Sequence, residues 1–269
     1  MTELGKRLRM GRIFDAQSGT ALVVAMDHGI GGYVQVLEDP RPMVRSLVEA
    51  GANAFLVTNG FAKCIGDEIR GRASLILRVS CCSGFNSRVT EQIVVSTVEE
   101  ALRLGADAVA PNFFFGTENE PRDLQLWGQL ADECDKWGVP LFPEVHPPAG
   151  EGAQPYAGPY TVDAMRLCVR IASEMGADFI KTWFNGDSKS YSQVVRNSLV
   201  PILIAGGPKA DTGREVLEMV KSAMDAGVRG VSIGRKIVLA ENPAAMTRAI
   251  AMIMRRKASV EEALDELRS

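Results

Sequence analysis

Eight short β-like runs alternate with longer amphipathic segments along the whole chain, and this alternation limits the possible folds most. The runs cover residues 21–27, 54–58, 75–80, 108–114, 140–145, 179–183, 201–205 and 230–233. Short apolar runs of this kind are typical of strands that are buried on both faces of a parallel sheet. Eight strand–helix units without a linker predict a single α/β domain over residues 1–269, a closed (β/α)8 or TIM barrel. A doubly wound open sheet with fewer strands is the alternative.

Glycines mark the ends of several predicted helices. Gly51, Gly105, Gly176 and Gly227 each follow an amphipathic segment and stand just before a β-like run. Glycine at this position supplies the left-handed conformation that ends a helix. The apolar spacing predicts helices over residues 90–104 and 162–175. We also expect a closing helix over about residues 2–12 and an accessory helix over about residues 260–267.

Composition excludes several classes of protein. The 269-residue chain is 46% hydrophobic, has a formal net charge of −3 and concentrates its basic residues in no tract, which argues against nucleic-acid binding. Charges near the N-terminus and the lack of an apolar stretch of about 18 residues predict a cytoplasmic protein without a membrane span. The five cysteines form no CxxC pair, so we interpret them as reduced and mostly buried thiols. No metal or other cofactor is expected, because no residue cluster has metal-ligand spacing.

Lys181 is the strongest candidate catalytic residue. It interrupts the apolar run Phe179-Ile180-Lys181-Thr182-Trp183, the sixth predicted strand. Burying an ammonium ion is costly, so such a position favours the neutral amine that attacks a carbonyl carbon. The alternative is a lysine that reaches the barrel mouth and pairs with a carboxylate.

Glycines and an arginine at the ends of the last two strands predict a phosphate site. Gly206 and Gly207 follow the seventh strand, and Gly234 and Arg235 follow the eighth. Loops at these positions of a TIM barrel often bind phosphate, because glycine allows close backbone approach and arginine adds charged hydrogen bonds. With Lys181 nearby, the pattern predicts a Schiff-base enzyme that acts on a phosphorylated carbonyl compound.

Other polar residues end strands on the same rim. Asp27 could hold a substrate hydroxyl or move a proton, or it could cap a turn, whereas we expect His28 to be structural or to position the loop. His146 is a candidate acid and base, or else a structural histidine. Glu144 either orients that imidazole or forms an ion pair inside the barrel with Arg78, and the sequence leaves both possibilities open.

Four motifs resemble those of the DeoC/FbaB class I aldolase family. They are Met26-Asp27-His28-Gly29, Ile180-Lys181-Thr182, Ala205-Gly206-Gly207-Pro208-Lys209 and Gly230-Val231-Ser232-Ile233-Gly234-Arg235. The similar branch contains archaeal-type fructose-1,6-bisphosphate aldolases, 2-amino-3,7-dideoxy-heptulosonate synthases and the autoinducer-2 phosphate thiolase. The resemblance implies a metal-independent lyase of carbohydrate metabolism or glycolysis, often a homo-oligomer such as a decamer. It also implies a Schiff base at Lys181, a working carboxylate at Asp27, and phosphate at Gly206, Gly207, Gly234 and Arg235.

The fifth strand departs from this family. Bisphosphate aldolases carry Trp-x-Tyr-Pro there, with the tyrosine as the proton-transfer group, whereas this chain has Glu144-Val145-His146-Pro147. We therefore expect His146 to transfer the proton and to give a pH–rate limb within about two units of its usual pKa of about 6.5. If it does not, Asp27, Glu144 or Tyr156 is the base. A transferase or thiolase of the same chemistry, and a phosphate-binding barrel without catalysis, remain alternatives.

Overall fold

The computed structural model describes residues 2–30, 32–85, 90–148, 160–206 and 212–268. Its centre is a sheet of parallel strands in the order β6-β3-β2-β1-β11-β10-β9-β8-β7, with β4 and β5 forming a separate pair. The strands are β1 (Ala21–Ala25), β2 (Ala54–Val57), β3 (Ser74–Arg78), β4 (Ser80–Cys81), β5 (Ile93–Val94), β6 (Ala108–Ala110), β7 (Asn112–Phe114), β8 (Glu144–His146), β9 (Ile180–Thr182), β10 (Ile202–Ala205) and β11 (Gly230–Ile233).

The two end strands of this sheet are neighbours in the chain, and this closes the barrel. Only Pro111 separates β6 from β7, so the two segments form one strand that a proline interrupts. Proline has no N–H to donate to a sheet ladder, which accounts for the break. A parallel bridge between Val109 and Leu141 ties β6 to the segment before β8. The predicted closed barrel of eight strand units is confirmed, and the open sheet is wrong.

Helices surround the strands. They are α1 (Thr2–Ile13), α2 (Pro40–Glu49), α3 (Asn59–Ile69), α4 (Val98–Arg103), α5 (Glu120–Trp137), α6 (Val162–Glu174), α7 (Ser188–Asn197), α8 (Gly213–Asp225), α9 (Arg235–Val238), α10 (Pro243–Arg256) and α11 (Val260–Arg268), with short 3-10 helices at His28–Ile30 and Gln35–Leu37. The predicted glycine caps are confirmed, because Gly51, Gly105, Gly176 and Gly227 all have φ between +81° and +98°.

Two expectations about local structure are wrong. The predicted helix over 90–104 begins only at Val98, because Ile93 and Val94 pair antiparallel with β4. The β-branched run of Ile93, Val94 and Val95 favours extended backbone over a helix. The cysteines are all free but not mostly buried, since only Cys134 and Cys168 are enclosed.

The two ends of the barrel differ. At the amino ends of the strands, α1 closes the barrel: Phe14 packs edge-on against Phe179, which stacks on Phe142 at 4.0 Å. Lys6 of α1 pairs there with Asp178 at 2.8 Å. At the carboxyl ends the barrel opens into a cavity of about 840 Å³. In the described ranges, no helix has the length and apolar character to cross a membrane.

Candidate active site

Lys181 lies at the floor of this cavity. It stands in the middle of β9, between Glu144 of β8 and Leu203 of β10 in the register of the sheet. Because side chains alternate along a strand, Ile180 packs outward into the main core and Lys181 points inward. The side chain lines the cavity although the residue is only 6% exposed, and its Nζ donates to Glu144 Oε2 at 2.9 Å. The lysine is therefore buried, faces the cavity and pairs with a carboxylate.

Arg78 on β3 joins the acidic residues of the site. Its Nε donates to Asp27 Oδ2 at 2.7 Å, its Nη2 to Glu144 Oε2 at 2.6 Å, and its Nη1 to Asn112 Oδ1 at 2.6 Å. Burial alone would lower the pKa of this guanidinium, but Asp27 and Glu144 raise it. Of the two possibilities for Glu144, the ion pair with Arg78 is present, and the carboxylate also reaches Lys181.

Both carboxylates are held ionised. Burial alone would raise their pKa values, yet the pKa of Asp27 is lowered by Arg78 and then by Lys181. The pKa of Glu144 is lowered by Lys181 and then by Arg78, again against the effect of burial. Two buried cations thus face two partly buried anions across the cavity floor, and each charge has a partner, as buried charges require.

His146 lies deeper than the sequence suggested. It is 0% exposed, stacks on Phe114 at 4.2 Å, and is absent from the described residues that line the cavity. Its Nδ1 accepts from the indole N–H of Trp183 at 3.0 Å, and its Nε2 lies 4.0 Å from Glu144 Oε1. Burial lowers the pKa of the imidazole to about 4, although the charge of Glu144 opposes that shift. The expected pH–rate limb near 6.5 therefore does not agree with this environment.

His28 follows β1 and packs against the start of α9. A Cβ added to Gly234 would lie 2.2 Å from both His28 Cε1 and Ala25 O, so this contact requires glycine. His28 also lines the cavity, and its Nδ1 is buried without a hydrogen-bond partner among the described residues. Burial lowers the pKa of His28, against the opposing effect of Asp27.

The predicted phosphate region forms one side of the cavity. Gly206, Gly234 and Arg235 all line it, whereas Gly207 lies outside the described residues, as does Tyr156. Lys236 lines the cavity too, and its Cε would lie 3.5 Å from a Cβ added to Gly206. Sequence reasoning missed Lys236, although its position directly after Arg235 in the last rim loop was an available signal.

The upper cavity wall is more apolar. Tyr33, Val34, Val36 and Leu239 contribute to it, and the hydroxyl of Tyr33 donates to Glu38. Across the described part of the chain, no group of three or more His, Cys, Asp or Glu side chains is placed to hold a metal ion. The cavity thus combines a charged floor, a cationic side and an apolar rim.

Solved structures with this architecture include Schiff-base aldolases. The chain superimposes on an archaeal fructose 1,6-bisphosphate aldolase with a TM-score of 0.83 and 26% identity, over 94% of this chain and 100% of the other. A second structure, described as a Schiff base forming fructose-1,6-bisphosphate aldolase, matches with a TM-score of 0.82 and 27% identity, over 93% of this chain and 99% of the other.

Sequence comparison points to the same group of enzymes. A 2-amino-3,7-dideoxy-D-threo-hept-6-ulosonate synthase of Halobacterium salinarum is 35% identical over 98% of this chain and 97% of its own length. An uncharacterized aldolase of Saccharolobus solfataricus is 33% identical over 98% of this chain and 100% of its own length. The model of the DeoC/LacD family aldolases matches residues 21–240, from the first strand past the last strand of the barrel. With both the fold and this match over most of its length, the chain belongs to the DeoC/LacD aldolase family.

Proposed function

We propose that the protein is a class I aldolase that forms an imine between Lys181 and the ketone of a phosphorylated ketose. The observation that carries this proposal is the buried Lys181 side chain, whose Nζ lies on the cavity floor 2.9 Å from Glu144 Oε2. A solved relative, 26% identical, has its catalytic lysine covalently bound to the carbinolamine intermediate of the substrate, which supports the same chemistry here.

The proposed reaction begins with transient proton transfer from the Lys181 ammonium to Glu144, against the lowered pKa of that carboxylate. The neutral amine attacks the carbonyl carbon to give a carbinolamine. Return of the proton from the carboxylic acid to the carbinolamine hydroxyl lets water leave and gives a protonated imine. That cation accepts the electron pair of the adjacent C–C bond while a base removes the proton of the neighbouring hydroxyl group. An aldehyde and an enamine result. The reverse sequence forms the C–C bond.

Glu144 is the proposed proton-transfer group next to Lys181. Its Oε2 contacts Nζ directly and it lines the cavity, whereas His146 is not among the described cavity-lining residues and contacts Glu144 and Trp183. The basicity of Glu144 depends on the charge of the Lys181 nitrogen, because an adjacent cation favours the ionised carboxylate. The basicity of Glu144 therefore rises when the lysine nitrogen becomes neutral in the enamine. Asp27, which accepts a hydrogen bond from Arg78, is the proposed partner for substrate hydroxyls.

The substrate phosphate is proposed to bind at Gly206, Gly207, Gly234 and Arg235, with Lys236 as a further cation. Gly206, Gly234, Arg235 and Lys236 share one side of the cavity, and fixing the phosphate there would hold the carbonyl carbon beside Lys181.

Fructose 1,6-bisphosphate is the first proposed substrate, because structural neighbours with TM-scores above 0.8 act on it. A heptulosonate-synthase type of transfer is the second candidate, which the 35% identity to such an enzyme favours. Aldol cleavage and transfer share the imine. Offering fructose 1,6-bisphosphate alone and then with a second aldehyde acceptor distinguishes them.

The test is borohydride trapping with dihydroxyacetone phosphate in the presence of EDTA. We expect one covalent adduct on Lys181, found by peptide mass, and unchanged trapping with chelator, since imine chemistry needs no metal. Lys181→Arg should give no adduct, because a guanidinium stays protonated. Lys221→Arg is the matched control, since Lys221 pairs with Asp225 on α8. An adduct on another lysine would contradict the role of Lys181, and no adduct with any phosphorylated ketone would favour a non-catalytic phosphate-binding barrel.

Assembly into a homo-oligomer, which the family resemblance implies, and a cytoplasmic location, which the composition of the sequence suggests, also remain proposals. Light scattering on the purified protein gives the mass of the assembly, and a mass equal to that of a single chain would contradict the proposed homo-oligomer.

A further inference from the structure

Arg78 is the most connected charged side chain of the cavity floor and has no part in the proposed bond-making steps. We propose that Arg78 is a positioning residue for the imine chemistry: its guanidinium fixes Asp27 and Glu144 around Lys181, so that the site is charge-balanced when the Lys181 nitrogen is a cation. This inference rests on the proposed role of Lys181.

The guanidinium is fixed from three directions. Each of its three nitrogens donates to a described residue, Nε to Asp27, Nη2 to Glu144 and Nη1 to Asn112. Asn112 is held in turn, since its backbone N–H donates to Ser80 Oγ at 2.8 Å. Arg78 is only 2% exposed. A planar guanidinium with this many hydrogen bonds is held in one orientation, and it holds its partners in fixed positions as well.

The charges of the floor cancel only with Arg78 present. Arg78 and Lys181 are the cations that face Asp27 and Glu144. A protonated imine keeps the positive charge of the lysine nitrogen, so the balance survives imine formation. Without Arg78, two carboxylates would face one nitrogen. Buried like charges disfavour joint ionisation, so one carboxylate would take up a proton or close onto the ammonium group.

Glu144 Oε2 is the atom through which Arg78 acts on Lys181. That oxygen accepts from Arg78 Nη2 and from Lys181 Nζ at once. The bond to Arg78 holds the oxygen in place while the lysine nitrogen changes from ammonium to amine and then to imine. A Glu144 released from Arg78 would follow the ammonium group and hold it as an ion pair. Imine formation would slow, while phosphate binding on the other side of the cavity would change little.

The experiment compares Arg78→Met, Arg78→Lys and the matched control Arg255→Met in the full-length protein. Arg255 donates to Gly51 O and Asn53 Oδ1 and lies outside the described cavity lining. Its substitution therefore shows the effect of losing a hydrogen-bonded arginine away from the cavity. Circular dichroism and thermal melting establish folding. The readout is the rate of imine formation with dihydroxyacetone phosphate, measured by borohydride quenching at timed intervals, together with kcat and KM.

We expect Arg78→Met to slow imine formation by about 10²–10³-fold, the usual effect of losing one preorganised charged contact, with KM changed only a few-fold. Arg78→Lys keeps the positive charge but not the planar guanidinium and its fixed donors, so its rate of imine formation should fall about tenfold or more. Arg255→Met should form the imine at the wild-type rate. If Arg78→Met does not fold, Arg78→Lys decides: wild-type imine formation in that variant would overturn the inference.

Chemical rescue separates positioning from a purely structural role. Arg78→Ala should gain imine-forming rate several-fold from millimolar guanidinium chloride and not from sodium chloride at equal ionic strength, because the cation can occupy the vacated part of the cavity. If the two salts changed the imine-forming rate of Arg78→Ala equally, the positioning role of Arg78 would be contradicted. Absence of a Lys181 adduct in the wild-type protein would instead contradict the proposed function, so the two failures can be distinguished.

Discussion

At the scale of single residues, Glu144 and His146 have opposite surroundings although they share one face of β8. Glu144 contacts Lys181 and Arg78 and faces the cavity, whereas His146 is enclosed by Phe114 and Trp183. A structural residue, as proposed for His146, and a proton-transfer residue, as proposed for Glu144, respond differently to substitution. Removing the first mainly costs stability, and removing the second mainly costs turnover.

His146→Ala should therefore destabilise the fold by about 2–4 kcal/mol, as expected when a fully buried ring is truncated. Chemical denaturation measures this loss. The pH–rate profile of the wild-type protein should show no limb from His146 between pH 5 and 8, because the pKa of the imidazole is about 4. Glu144→Gln should fold and lose about 10²–10⁴-fold in turnover. A folded His146→Ala variant that forms the imine but loses C–C cleavage to that extent would restore the histidine as the base.

At the scale of elements, the contact between β1 and β11 depends on one glycine. Gly230 opens β11 with φ +140°, and a Cβ there would lie 2.1 Å from Ala21 O of the neighbouring strand. The backbone conformation and the close approach both exclude a side chain. The junction between the first and last barrel strands therefore tolerates only glycine at this position.

Gly230→Ala should lower the free energy of unfolding by more than about 2 kcal/mol, measured by urea denaturation. Gly128→Ala is the matched control. Gly128 lies inside α5 and a Cβ there meets nothing within 4 Å, so alanine should be neutral or stabilise by up to about 1 kcal/mol. Equal stabilities of the two variants would show that the junction adapts without cost.

At the scale of the whole molecule, the buried ionisable groups make stability depend on pH. Burial lowers the pKa of both histidines, His28 and His146. Between about pH 6.5 and 4 the unfolded chain therefore binds protons that the folded chain does not, and stability falls as the pH falls. Below that range Asp27 and Glu144 continue the trend, because their lowered pKa values stabilise the folded state only while they are ionised.

We expect denaturant midpoints to drop steadily from pH 7 to pH 4. His146 alone should account for about 3 kcal/mol over this interval, given its folded-state pKa of about 4. His146→Phe should flatten this part of the profile while leaving the contribution of His28. A midpoint that does not change between pH 7 and 4 would mean that the imidazole is protonated within the fold.

Local sequence patterns predicted the barrel fold, whereas the arrangement of the site depends on contacts between residues far apart in the chain. The alternation around Lys181 and the glycine caps are readable within a few residues, so the barrel and the inward lysine followed from them. The ion pair of Arg78 with Glu144 was one of two possibilities that the sequence left open, and the contact of Arg78 with Asp27 was not predicted, because these partners lie 66 and 51 residues away in the chain. The enclosure of His146 likewise depends on Phe114 of β7 and on Trp183, which follows β9.

Taken along the chain, the cavity floor consists of two ion pairs from two halves of the sequence. Asp27 and Arg78 come from the part before the loop at residues 116–119, and Glu144 and Lys181 come from the part after it. Each half carries a balanced pair, and the bond from Arg78 to Glu144 connects them. A polypeptide cut in that loop would hold the proposed nucleophile Lys181 in one fragment and the proposed positioning residue Arg78 in the other. Imine chemistry would then serve as a split reporter, active only when the two fragments have reassembled.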